Sequence, residues 1–181
     1  YNVFESYEVN KMEKWDAYLA NGHKTNHILI RGQSIPDGFY HLAVKCLVQH
    51  LDGSLLFMQR HLDKKLFPGF FEASAAGSAL YGENSEQAIR RELLEETGFG
   101  GGEWIPWMTI SANASTHTNL THCFLATGVE RLDKQHLDKG EDIKVRIFNR
   151  NEVLNMLRQG EVWQSLMAAP LWKYFAEKPD L

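Results

Sequence analysis

The chain has 181 residues and a mass of 20.8 kDa, with 44 % hydrophobic and 23 % charged residues, a mixture that one globular domain buries around its own core. These values exclude wholesale disorder and a fibrous repeat. The longest apolar runs are short, as in Leu42 to Val48 with Lys45 inside it, far below the roughly 20 residues that span a bilayer. Nineteen basic against 23 acidic side chains leave a formal charge of −4, so the basic surplus of a nonspecific nucleic-acid binder is absent and no nucleic-acid or membrane partner is expected. No basic segment followed by an apolar one opens the chain, so no secretory leader is expected. Cys46 and Cys123 each sit in an apolar run; they read as buried free thiols, with a reducing, cytoplasmic setting.

In chain order, the segment up to Lys14 has little periodicity and reads as an arm. Trp15–Leu19 and His27–Ile30 are strand-like runs, with the tight-turn signal Asn21-Gly22 between them. Residues 1–35 are therefore expected to form an arm and hairpin appendage, and residues 36–181 the main domain. Tyr40–Gln49 predicts a central strand, Asp52-Gly53 a turn, and Leu55–Arg60 its partner. Phe70–Ala76 reads as a short extended run after Pro68-Gly69. A helix is predicted over Ser85–Thr97 from the spacing of Ala88, Ile89 and Leu93, capped by Asn84 or Ser85 and ended by Gly98. Strands follow at Trp104–Ile110, Leu120–Val129 and Ile143–Phe148, then helices at Asn151–Arg158 and Val162–Glu177. The elements alternate without regular βαβ units, which predicts an α+β class.

One constellation carries chemistry. Gly77 is followed by Glu83 and then by Arg91-Glu92-Leu93-Leu94-Glu95-Glu96-Thr97-Gly98-Phe99. On a helix, residues three or four apart lie within roughly 60° of each other around the axis, so Glu92, Glu95 and Glu96 share one broad face. Three carboxylates so placed repel one another at neutral pH and require a compensating cation. Arg91, four residues before Glu95, is one; a hard divalent ion such as Mg²⁺ is the other. A Glu-Glu pair alone reads as a solvated face. The fixed register of Gly77, Glu83, Arg91, the three glutamates, Gly98 and the flanking apolar residues points to a site.

These residues resemble a complete Nudix box, G-x5-E-x7-R-E-U-x-E-E-x-G-U with U a bulky apolar residue, running from Gly77 to Phe99. The resemblance implies an α/β/α sandwich with a mixed central sheet, and metal-dependent hydrolysis of a nucleoside diphosphate linked to another moiety. Mg²⁺ is the implied cofactor, with Mn²⁺ as its alternative. Glu92 and Glu96 are the implied metal ligands. Glu95 is a third ligand, a catalytic group, or a neighbour held by Arg91, and a carbonyl of Ala76 or Gly77 completes the set. Glu83 holds the loop or touches an outer metal or substrate.

Outside the box, residues 15–31, Tyr40–Val44, Arg60 and Pro68–Glu72 resemble a bacterial group related to isopentenyl-diphosphate isomerase. That enzyme uses a Cys in the strand before the box, and Phe71–Ala76 has none. The C-terminal half is similar to ADP-ribose pyrophosphatases, in which an acidic loop residue acts as general base; here that is Glu141, or Asp142. Arg60 is a candidate phosphate ligand. A Trp104 or Trp107 ring is a candidate for stacking on a base, and His117 and His122 for the cleft. An ADP-ribose-like substrate is favoured, and the resemblance implies homodimerisation through the hairpin. The rival readings are a nucleotide-sugar sensor without catalysis and isoprenoid-diphosphate chemistry.

Overall fold

The computed structural model describes residues 12–65, 67–72, 74–113, 115, 120–137 and 143–178. Glu141, Asp142 and His117, singled out above, lie outside them. Strands β1 (Lys14–Tyr18) and β2 (Lys24–Ile30) form the antiparallel N-terminal hairpin. A mixed sheet follows, built from β3 (Ala43–His50), β4 (Leu55–Arg60), β5 (Phe71–Glu72), β6 (Ala75–Ser78), β7 (Phe99–Gly100), β8 (Glu103–Ser111), β9 (Leu120–Arg131) and β10 (Ile143–Phe148). Its spine runs β10-β4-β3-β9-β7, with β5 on β4, β6 on β3 and β8 on β9. Only β3 and β9, among these pairs, run parallel.

The helices cover the two faces of the sheet. Alternation along β3 points Val44, Cys46 and Val48 at α1 (Ser85–Thr97), where they pack with Ala88, Ile89 and Leu93. Leu47, Leu55, Phe57 and Leu125 face the other way, against α2 (Arg150–Arg158) and α3 (Ser165–Glu177). The result is the expected sandwich. Cys46 and Cys123 are free and buried, and burial pushes the Cys123 thiol up to about 11. Among the described residues no helix is long and apolar enough to cross a membrane.

Two elements differ from the sequence expectation. The extended run before the box splits into β5 and β6, because the Ser74 hydroxyl takes the place of ladder bonds: it donates to the Leu56 carbonyl and accepts from the Val48 amide. The last helix begins at Ser165 rather than Val162, and its N-cap Gln164 makes no side-chain cap. That amide has another task, holding Lys45.

Lys45 is 5 % exposed in the middle of β3, and its ammonium donates to Gln164 Oε1 at 2.7 Å. Burial lowers its proton affinity below the usual lysine value of 10.5. A buried ammonium is a cost the fold does not require. Lys45→Met is therefore expected to be more stable than wild type near neutral pH by roughly 1 kcal/mol. Between the lowered folded-state value and 10.5 the unfolded chain binds more protons than the folded one, so wild-type stability rises with pH through that window. Urea midpoints of both proteins at pH 7 and pH 10 check this: the gap should narrow at the higher pH, and a gap that widens refutes it.

Candidate metal and diphosphate site

The loop from Gly77 to Asn84 and helix α1 assemble the site. Asn84 caps α1 through a capping box, its side chain accepting from the Gln87 amide while Gln87 returns a bond to the Asn84 amide. At the other end Gly98 adopts a left-handed conformation, φ 75°, and its amide bonds the Leu94 carbonyl. The Gly98 carbonyl then accepts from the amides of Leu132 and Asp133, tying the end of the helix to the chain after β9.

Arg91 is the hub. Its Nε and Nη2 fork onto Glu83 at 2.8 and 3.0 Å, and Nη2 also donates to the Ser78 carbonyl at 3.2 Å. Nη1 lies 3.0 Å from Glu92 Oε1 and 3.1 Å from Glu95 Oε2. One guanidinium thus links three carboxylates, and the Glu83 fork is its principal contact. Glu83 also accepts from the Leu80 amide at 2.9 Å, so it braces the loop, and Arg91 holds its carboxyl below the ordinary value.

Glu92 is half-buried behind β6. Burial pushes its carboxyl up against the pull of Arg91, and Glu95 and Glu13 add to the rise. It reaches this place because Gly77 has no side chain: a Cβ there would lie 2.2 Å from Glu92 Cδ and Oε1. Glu96 is 8 % exposed, with Oε2 accepting from the Ala76 amide at 3.3 Å.

Glu83 stays behind the loop it braces, while Arg91, Glu92, Glu95 and Glu96 border a cavity of about 500 Å³ that also includes Ala76, Gly77 and Ser78. Sequence reasoning left its opposite wall unassigned. The hairpin contributes Glu13, Trp15 and Arg31, and the segment after β9 contributes His136. The hairpin is seated there by Gly82 N donating to the buried Asp16 at 2.8 Å, by Tyr81 N donating to the Lys14 carbonyl, and by the Tyr18–Tyr40 backbone pair. No short-range signal marks these residues, because every one of these contacts is tertiary.

The donor set fits a divalent cation. Carboxylates of Glu13, Glu92, Glu95 and Glu96 face the guanidiniums of Arg31 and Arg91, leaving an excess of two negative charges. Among the described residues no three acidic, His or Cys side chains already converge on one point, since Arg91 draws Glu92 and Glu95 to itself. The ligating groups are at hand, and Arg91 stands in for positive charge among them.

Other candidates fall elsewhere. Arg60 pairs with Glu72 at 2.6 Å in a second cavity of about 450 Å³, which none of the box glutamates lines. His122 borders neither of these two cavities. Trp104 donates to the Gly101 carbonyl beneath Arg90, 4.7 Å from its ring. Trp107 donates to the Pro170 carbonyl beneath Lys173, at 4.0 Å. The tryptophans that do face these cavities are Trp15 and Trp163.

A model of the NUDIX domain matches residues 39–168. An uncharacterised Nudix hydrolase of Listeria monocytogenes is 41 % identical over 87 residues, which are 48 % of this chain and 52 % of that protein, so the match spans about half the length of the relative. An isopentenyl-diphosphate Δ-isomerase of Salmonella typhi is 29 % identical over 136 residues, 74 % of this chain and 70 % of that one. The crystal structure of an ADP compounds hydrolase shares the fold with a TM-score of 0.65 at 17 % identity, covering 93 % of this chain and 85 % of its own. A Deinococcus radiodurans structure does so at 0.58 and 20 %, covering 89 % and 98 %. The family match encloses the box, the sheet and most of the cavity: the chain belongs to the Nudix family.

Proposed function

We propose that this protein is a divalent-metal-dependent pyrophosphohydrolase that cleaves a nucleoside diphosphate linked to another moiety, with an ADP-ribose-like compound as substrate and Mg²⁺ as cofactor. The observation that carries the reading is the cavity in which Glu92, Glu95 and Glu96 face Arg31 and Arg91. Glu92 and Glu96, with the backbone of Ala76 and Gly77, would hold the metal. When bound, the ion neutralises charge on the diphosphate oxygens and sharpens the electrophilic phosphorus.

The chain's own residues do the rest. Arg31 on the hairpin, paired with Glu13 at 2.8 Å and more than half exposed, exchanges that partner for a phosphate oxygen of the substrate. Glu95 is the most accessible of the four box glutamates. It accepts the proton of the attacking water as the new P–O bond forms and the other phosphate leaves. Arg91 positions both Glu92 and Glu95. Isoprenoid isomerisation is disfavoured because the two cysteines lie in β3 and β9 and neither is in the run Phe71–Ala76 that leads into the box.

The test is phosphate release from ADP-ribose, NADH, CDP-alcohols, nucleotide sugars, diadenosine polyphosphates and nucleoside triphosphates, with Mg²⁺ and a coupling phosphatase. Metal-dependent turnover of a diphosphate-linked substrate is the expected result. Silence across the panel with tight nucleotide binding overturns catalysis in favour of a sensor. In the same assay Arg31→Ala is expected to raise KM about tenfold with little change in kcat, and Arg31→Lys to recover part of the loss. An unchanged KM removes Arg31 from the substrate site.

A further inference from the structure

A third cavity, of about 500 Å³, lies at the turn end of the hairpin and takes no part in the diphosphate chemistry. Leu120 and His122 form its floor, on the face of β9 that carries Phe124 and Ala126 to α1. The hairpin closes it with Tyr18 and the Asn21-Gly22 turn, and the approach to β3 with Tyr40 and His41. His122, which borders neither of the other two cavities described, belongs to this one. The volume is that of an ordinary small-molecule site.

Its chemistry is the reverse of the carboxylate cavity's. Among the described residues no Asp, Glu, Lys or Arg lines it. Burial lowers the proton affinity of His41, so that imidazole is neutral at pH 7. A charged ligand would lose its hydration here and meet no counter-charge. The polar tips are nevertheless free: among the described residues no protein group hydrogen-bonds the hydroxyls of Tyr18 and Tyr40 or the imidazoles of His41 and His122. Beside them Leu120 is 53 % exposed. A flat, uncharged ring with donors and acceptors around its edge satisfies the apolar and the polar groups together.

His41 joins this cavity to the carboxylate one. Its ring stacks on Trp15, with centroids 4.5 Å apart and planes at 23°, and Trp15 walls the carboxylate cavity. Tyr18, three residues along β1, exchanges backbone bonds of 2.8 and 2.9 Å with Tyr40. One short strand therefore has an end in each cavity. Two strands alone are marginal in water, and the seat that brings Trp15 and Arg31 to the carboxylates rests on bonds to Gly82, Tyr81 and Tyr40. A ligand that touches the hairpin turn and the domain at once reinforces that seat.

We propose that the third cavity is an effector site for a small uncharged heteroaromatic compound, whose binding holds the hairpin against the domain and strengthens the grip of the carboxylate cavity on a diphosphate. The binding is independent of the functional reading above, and the coupling rests on it. Nicotinamide is the probe, with nicotinate as its charged counterpart and cyclohexanecarboxamide as its non-planar one. Each is titrated into isotope-labelled protein and read at the indole N–H of Trp15, which is buried without a partner and so reports on the stack; Trp15→Phe identifies the signal. Pyrophosphate with Mg²⁺ is titrated calorimetrically with and without nicotinamide. The variants are Leu120→Trp, which sets an indole in the cavity from an exposed position, and His122→Leu, with melting curves to check the fold.

Nicotinamide is expected to shift the Trp15 signal saturably, and nicotinate and cyclohexanecarboxamide to bind about tenfold more weakly or worse. Leu120→Trp should abolish the shift and His122→Leu weaken binding by on the order of tenfold. Bound nicotinamide should tighten pyrophosphate about fivefold in the wild type and not in Leu120→Trp. Equal nicotinamide shifts in wild type and Leu120→Trp, or none in either, overturn the site. Nicotinate bound as well as nicotinamide overturns the assigned ligand class. Pyrophosphate affinity that bound nicotinamide leaves unchanged overturns the coupling alone. Leu120-dependent nicotinamide binding in a protein that takes up no pyrophosphate refutes the diphosphate reading alone.

Discussion

Glu96→Gln is expected to lower metal-dependent turnover by on the order of a hundredfold or more, with no loss of thermal stability. The side chain is 8 % exposed and accepts from the Ala76 amide, a bond that a Gln carbonyl oxygen can still accept. Shape and hydrogen bond survive; the charge does not. One of the carboxylates facing Arg31 and Arg91 is lost, and with it half of the negative excess that would hold a divalent ion. The repulsion among the glutamates is relieved as well, so the melting temperature should hold or rise. Phosphate release across a Mg²⁺ titration, with melting curves alongside, checks both halves. Turnover above about a tenth of wild type at saturating metal would show that Glu96 is not a ligand.

The two box glycines are expected to fail in opposite ways. The atoms nearest a methyl at Gly77 all belong to the Glu92 side chain, at 2.2 Å for its Cδ, and that carboxyl can swing aside. Gly77→Ala should therefore cost little stability and most of the activity, because the half-buried ligand is displaced. At Gly98 the added Cβ lies 2.2 Å from the Asp133 carbonyl oxygen, and the φ of 75° is unfavourable for any side chain. Backbone cannot swing aside, so Gly98→Ala should lose about 2–4 kcal/mol of folding stability. Activity per folded molecule should be partly retained, because no ligand is struck directly. Urea denaturation and kcat measured on the folded fraction separate the two outcomes. A Gly77→Ala protein with full turnover would show that Glu92 need not sit where it does.

What could be read from the sequence divides by the range of the interactions involved. Helix α1 matches its prediction from Ser85 to Thr97 because each end is determined locally, the first by Asn84 with Gln87 and the last by Gly98 with Leu94. The Arg91–Glu95 pair is local for the same reason. The Arg91–Glu83 fork spans the loop, and the sequence indicated only that Glu83 belonged to the register. The hairpin strands were legible, whereas their position as a wall of the cavity was not: Asp16 reaches Gly82 across 66 residues. Lys45 showed in the sequence only as an interruption of an apolar strand, since its partner Gln164 lies 119 residues away. Nor could Trp163 be told from Trp104 and Trp107, whose rings Arg90 and Lys173 cover in the fold.

The parallel pairing of β3 with β9 has a consequence in time. Ala43 lies beside Thr121, and the whole stretch between them, box included, forms the connection. Closing so long a loop costs entropy before the central ladder returns any bonds, and chains dominated by such distant pairings fold in milliseconds to seconds. Helix α1, with its ends set locally, can form in about a microsecond. Local signals can thus bring the glutamates into register on their helix before the sheet and the hairpin wall arrive, although a 13-residue helix is marginal on its own and its like charges oppose it. Whatever holds the acidic face open to water at that stage, its compensating charges arrive only with the rest of the fold: Arg91 reaches Glu83 across the loop, and Arg31 comes with the hairpin.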